Sequence, residues 1–261
     1  MTYCLAINLD QGLVFCSDSR TNAGVDNVST YSKMHTFIWP GNRVFVLVSA
    51  GNLATTQAVV NKINRDVEQG LVPNLLNVTN LHEAVDYIGM VSTDLQRLHA
   101  SRDNTSSNFE ASFIFGGQIG QANPDMFLVY PQGNYIRASD EHPYLQIGET
   151  KYGKPILDRI VKRDVSLERA ARCALVSMNS TIRSNVTVGP PIELLIFERD
   201  SLSEGRRLCL PEDDPFAREL SEAWNEGLLQ ALYGLPRFPW EKESAAPRVQ
   251  GQVFPFPPSS S

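Results

Sequence analysis

Cysteine is scarce in this chain of 261 residues: Cys4, Cys16, Cys173 and Cys209 are widely spaced, and none forms a Cys-x-x-Cys pair. That excludes a disulfide scaffold and leaves four buried free thiols as the expectation. Histidine is as rare. His35, His82, His99 and His142 show neither His-x-x-x-His nor Glu-x-x-His spacing, so a zinc site or a Ser-His-Asp triad lacks its parts. No metal and no cofactor are expected, and His82 and His99 suit the surface of a helix. Positive charge is in deficit too: 23 Lys and Arg against 29 Asp and Glu leave a net charge of −6, with the basic residues scattered. This argues against nucleic acid or an anionic membrane as partner. No apolar run approaches the roughly 20 residues of a membrane span, and no basic segment with a hydrophobic core opens the chain, so a soluble cytoplasmic protein is expected. The cluster Gly116-Gly117-Gln118-Ile119-Gly120 lacks the Gly-Lys-Ser/Thr of a phosphate loop and reads as a turn.

What the chain does contain is ordinary globular material, 42% hydrophobic and 20% charged, enough for one large domain or two small ones. Strand alternation runs from Thr2 to Leu9, turns at Asp10-Gln11-Gly12 and resumes from Leu13 to Ser17. A second hairpin, Met34 to Trp39 and Arg43 to Ser49, closes through Pro40-Gly41-Asn42, which predicts antiparallel sheet. Asp18 to Ser32 reads as a loop with short strand content. Leu53 to Gln69 carries Ala54, Ala58, Val59, Ile63 and Val67 on one helical stripe, and Asn80 with Glu83 forms a capping box ahead of a helix to Leu98. Strands are predicted at 108–116, 125–130, 135–137 and 192–198, and helices at 152–161 and 166–181. Strands, two helices, strands, two helices and a strand describe an α+β layered domain, with sheets from both halves sharing a core and helices outside.

Residues 1–235 are expected to form that domain. Its last helix, Pro215 to Leu232, places Phe216, Leu220, Trp224, Leu228 and Ala231 at packing positions. From residue 236 to 261 the chain is rich in proline and ends Phe254-Pro-Phe-Pro-Pro-Ser-Ser-Ser, so no regular element can run through it. Such a tail is either disordered or laid extended on a neighbour.

Chemistry concentrates at the start. Removal of Met1, which precedes a small residue, exposes Thr2 without autolysis, and no propeptide is evident. A free α-amine titrates at about 7.7–8.0 and can take the proton of the threonine hydroxyl beside it, so no histidine is needed. Such a nucleophile needs a cation and a carboxylate to position it. Because the first hairpin turns near Asp10, the end of its second strand returns to the level of Thr2, which brings Asp18 alongside. Lys33 heads a strand that can start at the same edge. Read singly, Asp18 is a turn-capping carboxylate and Lys33 a solvated lysine. Gly51, at a strand-to-helix junction, offers an unshielded backbone N–H for an oxyanion.

Together these residues resemble a known family. Thr2, the stretch Ser17-Asp18-Ser19-Arg20-Thr21, Lys33-Met34-His35 and Ser49-Ala50-Gly51 look like proteasome β-type subunits. The stretches Ser17 to Asn27 and Asn179 to Glu193, with Gly189-Pro190-Pro191, are similar to the bacterial Anbu subfamily. The resemblance implies an N-terminal-nucleophile hydrolase fold, a four-layer αββα sandwich with two antiparallel sheets. It implies a threonine-type peptidase or amidase that self-associates into an open ring or helical homo-oligomer. It further implies that Thr2 is the nucleophile, Lys33 and Asp18 its activating pair, Gly51 the oxyanion donor, Arg20 and Thr21 substrate-strand and structural contacts, and Ser184 a supporting serine.

Two positions depart from the family pattern. Thr181 stands where an aspartate is usual, and Gly148-Glu149-Thr150 where Gly-Ser-Gly is common; Glu149 then offers a carboxylate from another direction. These departures keep a second reading open, a scaffold or peptide-binding ring with vestigial or conditional activity. A third, an amidase or ligase on a non-protein peptide bond, shares the nucleophile. Substrate identity and any partner unfoldase are not encoded in a readable motif.

Overall fold

A computed structural model describes residues 1–22, 28–102 and 108–241. Three groups of strands and five helices make it up. β1 (Tyr3–Leu9), β2 (Gly12–Asp18), β3 (Arg20–Asn22), β4 (Val28–Thr30), β5 (Met34–Trp39) and β6 (Arg43–Gly51) lead into α1 (Leu53–Glu68) and α2 (Leu81–Arg102). β7 (Ala111–Ile119), β8 (Asp125–Val129), β9 (Tyr135–Arg137) and β10 (Tyr144–Gly148) follow, then α3 (Lys154–Ile160), α4 (Leu167–Ser184), β11 (Ile192–Glu198), β12 (Arg206–Leu210) and α5 (Pro215–Tyr233).

The two predicted hairpins are antiparallel, but they lie in different sheets. One sheet has the order β10-β1-β2-β11-β12 and the other β5-β6-β7-β8-β9, with β3-β4 as a separate ribbon. Strand alternation sorts the side chains into layers. In β1, Tyr3, Leu5, Ile7 and Leu9 meet α3 and α4, where Leu157, Leu167, Ala170 and Ala174 are buried. Cys4 and Ala6 turn the other way, onto Met34, Val46, Val48 and Ile114 of the facing sheet. In β7, Phe113 and Phe115 pack with Val59, Ile63, Val85 and Ile88 of α1 and α2. The result is helices, sheet, sheet, helices: the four-layer αββα sandwich.

Caps set where the helices begin. Asn52 accepts the Thr55 N–H at 3.1 Å and starts α1 directly after Gly51. At α2, Asn80 accepts the Glu83 N–H at 3.0 Å, while the Glu83 carboxylate accepts from the backbone and hydroxyl of Thr79 instead of the Asn80 N–H of the expected box.

Other expectations change in detail. Cys4, Cys16 and Cys173 are buried, but Cys209 is exposed on β12, an edge strand. His82 is exposed on α2 as expected, whereas His99 is half-buried against Phe109 and the Thr55 hydroxyl. The chain divides into two compact units, Met1–Trp224 and Asn225–Ser261. Within the first, α5 packs through Ala217 and Leu220 while Phe216 stays 44% exposed, so the predicted stripe is only partly used. In the second, Leu228, Leu229, Leu232 and Tyr233 are exposed, and the rings of Phe238 and Trp240 stack at 4.9 Å. Most of the proline-rich segment lies outside the described residues. Among the described residues no helix is long and apolar enough to cross a membrane.

Candidate active site

The β1–β2 hairpin pairs Cys4 with Ser17, which sets Asp18 level with Tyr3 and one residue from Thr2. Asp18 is fully buried. Its Oδ1 accepts the Tyr3 N–H at 3.1 Å and the Lys33 ammonium at 2.7 Å, and its Oδ2 accepts the Gly189 N–H at 3.3 Å. Burial pushes the Asp18 carboxyl above its ordinary pKa, opposed by the charge and hydrogen bond of Lys33 and by the two backbone donors. Lys33, itself 5% exposed, also donates to the Arg20 carbonyl at 2.7 Å. Its ammonium is therefore held by two acceptors from the β2–β3 segment, although Lys33 itself heads β5.

Gly51 forms the opposite wall. The Ser49 N–H reaches the Lys33 carbonyl at 3.0 Å, and the Asn52 N–H reaches Glu110 at 2.9 Å on the other side of β6. Strand alternation then aims the Gly51 N–H to the Lys33 side, past the start of β5. Only glycine suits the position: φ is +117°, and a Cβ would lie 2.3 Å from the Glu110 carbonyl oxygen.

The main chain of Thr2 is gripped separately. Its carbonyl accepts the Glu149 N–H at 2.7 Å, and Gly148, at φ +82°, passes so close that a Cβ would sit 1.9 Å from that carbonyl oxygen. The Glu149 side chain points elsewhere. Buried, it accepts the Asn185 amide at 2.9 Å and lies 3.6 Å from the Lys151 ammonium. Asn185 went unnoticed in the sequence, although an Asn followed two residues on by Thr is a turn signature; here its side chain accepts from both the N–H and hydroxyl of Thr187.

A cavity of about 310 Å³ unites Thr2, Lys33 and Gly51 with Arg20 and Thr21, and Met1 stands at it with 69% of its surface exposed. Asp18 lies behind Lys33. The Arg20 guanidinium donates to the Val186 carbonyl at 2.9 Å and lies against Gly189, where a Cβ would come within 2.3 Å of it. Ser184 is exposed at the end of α4 and is not among the cavity residues. Thr181 is buried and turns its hydroxyl back to the Ser177 carbonyl at 3.0 Å, inside its own helix. With Met1 in place, the Thr2 nitrogen is an amide and no base. Among the described residues, no group of three or more His, Cys, Asp or Glu could hold a metal ion.

The fold, two antiparallel sheets between layers of helices, is that of the N-terminal-nucleophile hydrolases. The proteasome subunit model matches residues 2–197, and the chain belongs to the proteasome family. Within it the chain groups with Anbu, the ancestral β-subunit of bacteria. A Gly-1 mutant of Anbu from Hyphomicrobium sp. strain MC1 is 45% identical, with 91% of this chain and 99% of that one covered at a TM-score of 0.85. Anbu from Yersinia bercovieri is 43% identical over 91% and 99% of the two chains, at a TM-score of 0.84. Anbu of Pseudomonas aeruginosa, solved as a helical assembly, is 43% identical over 92% and 99%, at a TM-score of 0.86. Comparison with curated protein sequences gave no match.

Proposed function

We propose that residues 1–235 form a threonine-dependent hydrolase of peptide or amide bonds that becomes competent when Met1 is removed. The observation that carries this reading is the buried Lys33–Asp18 pair beside Thr2, at 2.7 Å, opening on the same cavity as Gly51. The freed α-amine takes the Thr2 hydroxyl proton as Oγ attacks the carbonyl carbon, and Lys33 favours the developing alkoxide. The Gly51 N–H receives the oxyanion, and the amine passes its proton to the leaving nitrogen. Water, deprotonated by the same amine, then cleaves the ester. Asp18 orients Lys33. Arg20 and Thr21 shape the wall along which a substrate strand runs, the Glu149 backbone N–H holds the Thr2 main chain while Asn185 anchors the Glu149 side chain, and Ser184 supports the adjoining loop.

The test is intact mass together with capture by a covalent inhibitor directed at N-terminal threonine. Protein lacking Met1 should gain one adduct on Thr2, and Thr2→Ala should gain none; an unmodified wild type lacking Met1 sinks the proposal. A panel of protein and non-protein amides then separates peptidase from amidase or ligase.

We infer also that the chain self-associates in the cytoplasm as an open ring or helical array, a reading supported by the helical assembly of the Pseudomonas aeruginosa relative. The exposed apolar residues Leu228, Leu229, Leu232 and Tyr233 support a reading in which assembly itself is part of the function. In that reading residues 236–261 contribute contacts between subunits, so truncation after residue 235 should reduce the mass seen by light scattering. An unchanged mass removes the tail from the assembly.

A further inference from the structure

A second bond between the two sheets lies one residue along from the Asp18–Lys33 pair. β11 runs beside β2 with Ile192 opposite Asp18 and Glu193 opposite Ser17. Ile192 and Leu194 belong to the core under α4, and Leu195 and Phe197 to the core between the sheets, so Glu193 faces the other sheet. It is 7% exposed. Its Oε2 accepts the Ser32 hydroxyl at 2.6 Å, and its Oε1 accepts the Arg207 guanidinium at 2.6 Å.

Ser32 immediately precedes Lys33. Its hydroxyl has one proton, and the close, charged acceptor is Glu193, which leaves the oxygen free to accept the Met34 N–H at 3.3 Å. The backbone on both sides of Lys33 is thereby fixed through one side chain, and the Lys33 carbonyl is fixed on Ser49. A buried carboxylate in a run that reads Ile-Glu-Leu-Leu-Ile-Phe is costly. Replacing such an ion pair with packed apolar groups is often neutral or stabilising, so stability alone does not account for Glu193.

We propose that Glu193 and Ser32 are positioning residues, a clamp that holds the start of β5 where the Lys33 ammonium meets Asp18. Arg207 supplies the opposite charge, paired with the second oxygen of Glu193 at 2.6 Å. The kinetic part of this proposal rests on Thr2 being the nucleophile; the placement of Lys33 does not.

Ser32→Ala and Glu193→Gln, in protein lacking Met1, test it with two readouts. In the first, Lys33 acylation by an N-hydroxysuccinimide ester is followed by peptide mass spectrometry, with Lys62 and Lys151 as internal references. Loss of the clamp should raise the Lys33 rate roughly tenfold and leave the references alone, and Ser32→Thr should restore the slow rate. In the second, capture of Thr2 by the covalent inhibitor should slow roughly tenfold at saturating inhibitor with half-saturation unchanged, again restored in Ser32→Thr. Should Glu193→Gln fail to fold, Ser32→Ala leaves the Glu193–Arg207 pair intact and decides alone. Lys33 acylation within twofold of wild type in Ser32→Ala overturns the clamp. A wild type that is never captured overturns the threonine reading instead, and the acylation result still decides the clamp.

Discussion

Asp18 and Lys33 touch at 2.7 Å across the gap between two sheets, one ending β2 and the other heading β5. The bond is a structural joint as well as a charge pair, because it ties the end of β2 to the residue that leads into β5. Both roles can be separated by substitution.

Lys33→Ala should leave Asp18 buried and unpaired and cost about 3–5 kcal/mol of stability, whereas the double variant Asp18→Asn with Lys33→Met should cost less because both charges leave together. Denaturant titration measures this. A single variant as stable as wild type would contradict the picture of a buried, mutually dependent pair.

Two carboxyls make opposite demands on pH. Asp18 has a raised pKa in the folded protein, so its contribution to stability is full below the unfolded value and is lost as pH rises through the folded one. Activity needs its charged form and should therefore fall on the acid side at a pH above the usual carboxylate range. Glu83 has a lowered pKa through its bonds to Thr79, so its contribution is present above the unfolded value and is lost as pH falls through the folded one. Stability curves of Glu83→Gln and wild type should converge in acid, and activity profiles should show the higher Asp18 limb.

Gly148→Ala should be far more disruptive than Gly41→Ala. Both backbones have positive φ, but a Cβ at 148 would lie 1.9 Å from the Thr2 carbonyl oxygen and one at 41 meets nothing within 4 Å. Strain alone predicts about 1–3 kcal/mol at Gly41, while Gly148→Ala must also break the Thr2–Glu149 bond and displace Thr2. Thermal melts and inhibitor capture compare the two; equal capture would show that Thr2 tolerates the shift.

Much of this was legible from local signals. The turn at Asp10 to Gly12 fixes the hairpin register, and that arithmetic brings Asp18 to Thr2; Asn80 announces α2. What was hidden has non-local causes. Alternation tells which face a residue occupies but not which sheet it joins, so the division of the two hairpins depends on β2 pairing with β11, far along the chain. β12 escaped because its Arg-Arg-Leu-Cys-Leu sequence is mostly exposed and shows no clean period. The second oxygen of Asp18 and the side chain of Glu149 find partners in the loop after α4, Gly189 and Asn185, which carries no periodic signal.

At the Thr2 end of the inner core Cys4 and Ala50 pack with Met34 and Val48, and farther along lie Leu13, Phe15, Met126 and Phe197. Side-chain volume sets how far apart packed sheets stand. The thickness of that layer is therefore the clearance across which Lys33 must reach. Thickening it with Cys4→Leu, which touches no reacting atom, would act on the chemistry as a spacer slipped between two plates.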